Sequence, residues 1–186
     1  MHYVVCAGDA DVLVRAGVRV LADGEMLILE GPWTVGTTVL GMVEDEDALA
    51  GLKSALRDTA GAFAVEGIAA PAFGEAFVIA AHKMLDPVGF RPYAEAIPDM
   101  LASFGVRSLA RGGKVTPLAG EMRPDRGVVL EFKDAAAAVD FYTSEIYAPL
   151  LALRLRTTDP RFMVMARSGP IPAAVREAAR AHSDTR

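Results

Sequence analysis

Apolar residues along the chain fall into short dense blocks separated by stretches in which they recur every three or four positions. The first pattern predicts strands and the second helices. Phe77 to Lys83 is an apolar strand block, followed over Pro87 to Phe104 by helical spacing through Phe90, Tyr93, Ile97, Met100 and Leu101. Val106 to Arg111 is a second strand, closed by the turn pair Gly112-Gly113, and Gly127 to Phe132 is a third. Asp134 offers an N-cap to a helix over Ala135 to Tyr142, and a further helical stretch runs through Tyr147, Leu150, Leu151 and Leu153. Arg161 to Arg167 closes as a Met-rich strand. This order is β-α-β-β-α-β, the split βαβ pattern.

The N-terminal part is a trimmed version of the same order. Tyr3 to Ala7 is a strand, and Gly8 to Ala16 leaves room only for a short helix or a turn. Val18 to Ala22 and Met26 to Leu29 flank the turn pair Asp23-Gly24. Thr37 to Val43 is a strand, Glu46 to Ala62 an amphipathic helix, and Phe63 to Ile68 a strand. Ala69 to Gly74 reads as a linker, and after Gly169-Pro170 a last helix spans Ala173 to Ala181 before a polar tail.

The two parts share sequence as well as order. Gly17-Val18-Arg19-Val20-Leu21-Ala22-Asp23-Gly24 returns as Gly105-Val106-Arg107-Ser108-Leu109-Ala110-Arg111-Gly112, differing only at Val20/Ser108 and Asp23/Arg111. Leu29-Glu30-Gly31 answers Leu118-Ala119-Gly120, and Thr38 to Met42 answers Val128 to Phe132, which sets Gly41 against Glu131. Matches in the same order with small drifts in offset point to a duplication. A ferredoxin-like sheet carries helices on one face only, so an apolar opposite face must be covered. The expected fold is therefore α+β: two fused ferredoxin-like βαββαβ units forming an internal pseudo-dimeric α/β barrel. The expected division is a degenerate half over 1–70, a complete half over 75–168, and a C-terminal helix and tail over 169–186.

Composition narrows the function classes. Hydrophobic residues make up 52% of the 186 positions and mean hydropathy is +0.28. That is enough for a sizeable core and leaves room for a homodimer contact. The longest apolar runs are strand-sized, far from the roughly 20 residues of a membrane span. No basic region precedes the first apolar run, so no signal peptide and a cytoplasmic location are expected. A single Cys6, set in an apolar run, predicts a buried thiol and no Cys-based metal cluster. Net charge is −5 with scattered Lys and Arg, which argues against nucleic acid as a partner. His2, His82 and His182 show no ligand-like spacing, so no metal is expected. Gly112-Gly113 precedes no helix and forms no phosphate loop, so no cofactor is expected either.

Residues 75 to 168 resemble the domain-of-unknown-function 1330 family of the dimeric α/β-barrel superfamily. The resemblance rests on Asp86 with Tyr93, Leu109-Ala110-Arg111-Gly112-Gly113, Leu118-Ala119-Gly120, Val128 to Phe132, Phe141 to Tyr147, and Leu150 through Arg154. It implies a ferredoxin-like fold paired across its sheets. The wider superfamily includes cofactor-free monooxygenases, isomerases, polyketide cyclases and haem enzymes, and fold does not choose among them.

Strand alternation then selects candidate chemistry. Val128, Leu130 and Phe132 should meet the helices, leaving Val129 and Glu131 to point between the sheets. Arg107, Leu109 and Arg111 alternate, and His82 shares parity with Val78 and Ala80. The expected site is a semi-enclosed pocket between the paired sheets, with His82 as general base, Arg111 stabilising an oxyanion and Glu131 in support. Arg107, Val129 and Tyr93 would contact substrate. Plainer readings stand beside it: His82 as a hydrogen-bonded or surface histidine, an Arg111–Glu131 salt bridge across adjacent strands, and Tyr93, Tyr142 and Tyr147 as packing. With Gly41 and Asp23 in place of Glu131 and Arg111, the first copy becomes a lid or wall.

Three functions fit this picture. The first is a cofactor-independent enzyme for proton transfer on a small molecule, of the isomerase, cyclase or dehydratase kind. The second is a non-catalytic ligand-binding or scaffold protein with a filled barrel, and the third a cofactor-free monooxygenase. The space between the sheets separates the first two.

Overall fold

A computed structural model describes residues 1–33, 36–72 and 74–184. Position 73 of the expected linker and the last two residues of the expected tail lie outside these. Ten strands and six helices are found among the described residues. The first half holds β1 (His2–Ala7), α1 (Ala10–Arg15), β2 (Arg19–Ala22), β3 (Met26–Glu30), β4 (Thr38–Val43), α2 (Glu46–Ala55) and β5 (Gly61–Glu66). The second holds β6 (Ala76–Met84), α3 (Arg91–Ser103), β7 (Arg107–Arg111), β8 (Val115–Gly120), β9 (Arg126–Phe132), α4 (Ala135–Thr143), α5 (Ala148–Thr157) and β10 (Thr158–Ala166). The closing helix is α6 (Ala173–Asp184).

The strands form two antiparallel five-stranded sheets, ordered β2-β4-β1-β5-β8 and β3-β10-β6-β9-β7. Pairing each element with its counterpart in the other half turns one order into the other. Each half therefore keeps four strands and lends one, β3 or β8, to the edge of the opposite sheet. The strand β8 was not expected from the sequence. Pro117 breaks the strand signal of Val115 and Thr116, and pairing with β5 at the sheet edge makes the strand.

Irregularities repeat as faithfully as the order. A bulge interrupts β2 against β4 between Val20 and Ala22, and another interrupts β7 against β9 between Ser108 and Ala110. A second pair interrupts the borrowed edges, between Ala62 and Phe63 on β5 and between Phe162 and Met163 on β10. Bulges re-aim side chains and stay with a fold once built in, so their duplication is a structural mark of the repeat. They also correct the register. Arg19 faces Met42 as Arg107 faces Glu131, so Met42 and not Gly41 is the counterpart of Glu131. The one-residue slip matters because it exchanges the two faces of the strand.

The layers run helices, sheet, sheet, helices. The first sheet packs on α1 and α2 through Val4, Cys6, Leu13, Leu49 and Leu52. The second packs on α3 to α6 through Val78, Leu130, Ile97, Val139, Leu151 and Val175. Between the sheets lies a third core containing Tyr3, Phe63, Phe77, Val129, Met163 and Met165, each at most 1% exposed. Burying one such side chain contributes roughly 1.5–3 kcal/mol, so this middle layer holds the halves together. The sheets stay separate, without the continuous hydrogen-bonded ring of a closed barrel.

Element ends follow local chemistry. Asp45 and Asp134 accept from Ala48 N and Ala137 N, each at 2.8 Å, and start α2 and α4. The helix α2 stops at Ala55, short of the expected Ala62, and the hydroxyl of Thr59 closes the following turn on Leu56 O at 2.8 Å. Asp86 accepts from Val88 N and Gly89 N, at 3.1 and 2.9 Å, holding a turn that delays α3 until Arg91. No helix among the described residues is long and apolar enough to cross a membrane.

Candidate functional site

The expected pocket between the sheets is filled. Val129 is fully buried there, packed with Leu109, Ala110 and residues of both sheets, and offers no surface to a substrate. Glu131 and Arg107 stand opposite each other on this side of the second sheet, and both fasten the linker. The Glu131 carboxylate accepts from Ala72 N at 2.9 Å and Gly74 N at 3.0 Å, and lies 3.5 Å from the Arg167 guanidinium. Arg107 donates to Ala70 O at 2.9 Å, and the Tyr3 hydroxyl donates to Ala69 O at 2.5 Å. Burial, and next the Glu131 charge, push the Tyr3 phenol up to about 12. The anticipated Arg111–Glu131 salt bridge does not form, because Arg111 lies opposite Val128 instead.

The bulge at Leu109 and Ala110 explains the split. Both residues enter the middle core, so alternation restarts and Arg111 lands on the opposite face from Arg107. That is the helix face, where His82 also lies with Val78 and Ala80. His82 and Arg111 thus share one recess beneath α3, with Tyr93, Tyr147, Arg126, Phe90 and Phe162 among its walls. Its free volume is about 30 Å³, the space of one water-sized polar group.

His82 is 3% exposed and its Nδ1 has no hydrogen-bond partner among the described residues. Burial, followed by the charges of Arg154 and Arg126, lowers its pKa to about 3, so the ring is neutral at ordinary pH.

Beside it runs a buried polar chain. Arg154, fully buried on α5, grips Glu30 with two bonds of 2.7 and 2.6 Å. Glu30 also accepts from the Tyr142 hydroxyl at 2.5 Å. Arg154 Nε donates to the Tyr147 hydroxyl at 3.1 Å, which meets the Tyr93 hydroxyl at 3.2 Å. Two phenol protons serve this pair of oxygens, and only one can lie between them. Arginine only donates. The other phenol proton is therefore without an acceptor among the described residues, and both rings line the recess. Burial raises the Tyr93 pKa well above its ordinary value, so it stays a donor. Among the walls, Arg126 lies 5.2 Å over the Phe90 ring. Neither Arg126 nor Arg111 has a carboxylate partner among the described residues.

A larger cleft of about 500 Å³ opens at one end of the inter-sheet space, lined by Ala60, Ala81, Lys83, Met122, Arg123 and Arg161 among others. None of the residues expected to act lines it. Lys83 and Arg161 are paired there with Asp125 and Asp159, at 3.7 and 3.5 Å.

The family described as a domain of unknown function, DUF1330, matches over residues 75–167, which carry every recess wall named above. The chain belongs to the DUF1330 family. The solved structure of a major regulator of staphylococcal pathogenesis aligns with 90% of this DUF1330 protein and 99% of its own length, at a TM-score of 0.52 and 10% identity. That likeness is one of fold. No curated protein matches the chain.

Sequence reasoning missed Glu30 and Arg154. Each is a charged residue at a position that apolar patterning assigns to the core, Glu30 directly after Met26 to Leu29 and Arg154 between Leu153 and Leu155. A charge that interrupts a buried stripe calls for a partner, and that signal was available. The first copy, expected to be a passive wall, supplies the carboxylate that orders this DUF1330 protein's recess.

Proposed function

We propose that this protein binds a small molecule whose head group enters the recess beneath α3. One observation carries the reading: His82 is buried with Nδ1 unpartnered, in the same recess as a phenol proton that lacks an acceptor. Unmatched buried polar groups cost about 1–3 kcal/mol each, and a ligand that bonds to them recovers that cost. The recess also suits an apolar neighbour to the head group, since Phe90, Ile97, Leu101, Val128 and Phe162 are among its walls. The filled core around Val129 agrees with a binding role and leaves no space where Glu131 and Val129 were expected to meet a substrate.

A second reading, cofactor-independent proton transfer, draws on the phenol donors backed by the Arg154 charge, an arrangement suited to a developing oxyanion. A pKa near 3 makes free His82 a weak base, so this reading needs the bound anion to raise it. Glu131 has no part in it.

The test is a fragment screen of small carboxylates, phenols, amides and amines, followed by NMR with the His82 ring resonances assigned. Binders are expected to shift the His82 ring and to lose affinity in His82→Phe. Binders that leave the ring unmoved, or an absence of binders, would remove the recess as the site.

A further inference from the structure

We infer that the head group held in this recess is an oxyanion, a carboxylate or a phenolate-type oxygen, received by a tyrosine hydroxyl and by Arg126 and Arg111. The inference rests on the binding role proposed above and names its ligand class.

Three independent features converge on it. The first is the proton count along Arg154, Tyr147 and Tyr93, which leaves one hydroxyl donor directed at no protein acceptor. A donor in that position selects a ligand with an acceptor oxygen and is indifferent to one with only donors. The second is charge. Arg111 and Arg126 line the recess, no Asp or Glu does, and the nearby Glu30 is already neutralised by Arg154. Burial, and behind it the like charge of Arg111, pull the Arg126 pKa below its ordinary value, a penalty that an anion between the two relieves. The third is size. About 30 Å³ is the space of one water-sized group, so the recess takes an oxygen of the head group and the body of the ligand stays outside it.

The donor is also strengthened from behind. Arg154 is permanently charged and donates to Tyr147, which polarises the phenol pair toward releasing positive character into the recess. Charge-assisted hydrogen bonds of this kind are about twice as strong as neutral ones. The second half alone could not support this arrangement, because the counter-charge holding Arg154 comes from β3, the strand that the first half lends to the second sheet.

The test compares benzoate with its neutral isostere benzamide, and adds 4-nitrophenol, on the full chain. Affinities are measured by NMR titration for the wild type, Tyr93→Phe and Arg126→Gln. Wild type is expected to favour benzoate by about tenfold or more, Arg126→Gln to lose most of that preference, and Tyr93→Phe to reduce it while weakening both ligands. Bound 4-nitrophenol should ionise about one pH unit or more below its free value, seen by its visible absorbance. A carboxylate-specific site shows the first effect without the second, and a general oxyanion site shows both. Equal binding of benzoate and benzamide with the His82 ring shifted overturns the oxyanion assignment and keeps the recess as the site. No binding by any of the three probes overturns both. A benzoate preference untouched by either substitution places the anion elsewhere, for instance against Lys83, Arg123 and Arg161, and overturns the assignment too.

Discussion

Arg154 and Glu30 lie 124 positions apart, come from opposite halves of the duplicated chain, and meet as a two-pronged ion pair at 2.7 and 2.6 Å. Arg154 has no exposed surface and Glu30 is 8% exposed. Such a pair is costly to bury and costlier to break, because removing one member strands the other. Glu30→Ala is expected to destabilise the protein by roughly 3–5 kcal/mol in urea unfolding. Replacing both members by apolar residues, as in Glu30→Leu with Arg154→Met, should cost much less than the sum of the single changes. Additive losses would show that the pair contributes no coupling.

The His82 environment makes a prediction about acid. Its folded pKa of about 3 lies below the ordinary 6.5, so the unfolded chain binds the proton that the folded protein refuses. The folded protein is penalised as pH falls below about 6.5, by at most about 1.4 kcal/mol per pH unit, until the folded pKa is reached. Burial first, then the charges of Arg154 and Arg126, oppose protonation, and Arg111, Tyr93 and Tyr147 line the same recess. In His82→Phe the slope of stability against pH between 4 and 6 should be shallower. A His82 ring titrating near 6.5 in the folded protein would contradict this.

The linker contacts made by Glu131 predict a local effect. Glu131→Ala leaves the N–H groups of Ala72 and Gly74 without their acceptor, at roughly 1–3 kcal/mol. Hydrogen exchange at these two amides should accelerate by more than exchange in β1. At Gly74 an added Cβ would come within 2.3 Å of Glu131 Cγ and 2.5 Å of Phe132 O, so Gly74→Ala should loosen the same contacts. Ligand affinity in the recess should be unchanged in both variants, because Glu131 lies on the other face of the sheet.

The reach of sequence reasoning follows from which physical signals are local. The strand blocks, the short first helix and the Asp134 cap are written in neighbouring residues, and they appear as expected. Parity within β6 correctly grouped His82 with Val78 and Ala80, and within β9 it separated Val129 from Leu130. The error lay in β7, where a bulge moved Arg111 to the other face from Arg107, and nothing in Arg-Ser-Leu-Ala-Arg marks a bulge. The same blindness set Gly41 against Glu131. Pairing between distant strands decides both matters, as it decides that β3 and β8 cross to the opposite sheet. The bond from Glu30 to Arg154 depends on that crossing and is invisible to any window along the chain.

The crossing itself can be tested at two matched glycines. Gly31 and Gly120 end the borrowed strands β3 and β8, with φ of 68° and 59°. At each, an added Cβ would stand 2.1 Å from a backbone oxygen, that of Pro160 beside Gly31 and that of Ala60 beside Gly120. Left-handed φ alone costs a side chain of the order of 1 kcal/mol, and the clash with fixed backbone adds to it. Gly31→Ala and Gly120→Ala are expected to destabilise the protein by similar amounts, about 2 kcal/mol or more, by thermal or urea unfolding. Only Gly31→Ala should also weaken ligand binding, because Glu30 precedes it and anchors Arg154 behind the Tyr147–Tyr93 pair. Equal loss of affinity in both variants, at conditions where both remain folded, would detach the recess from the borrowed strand.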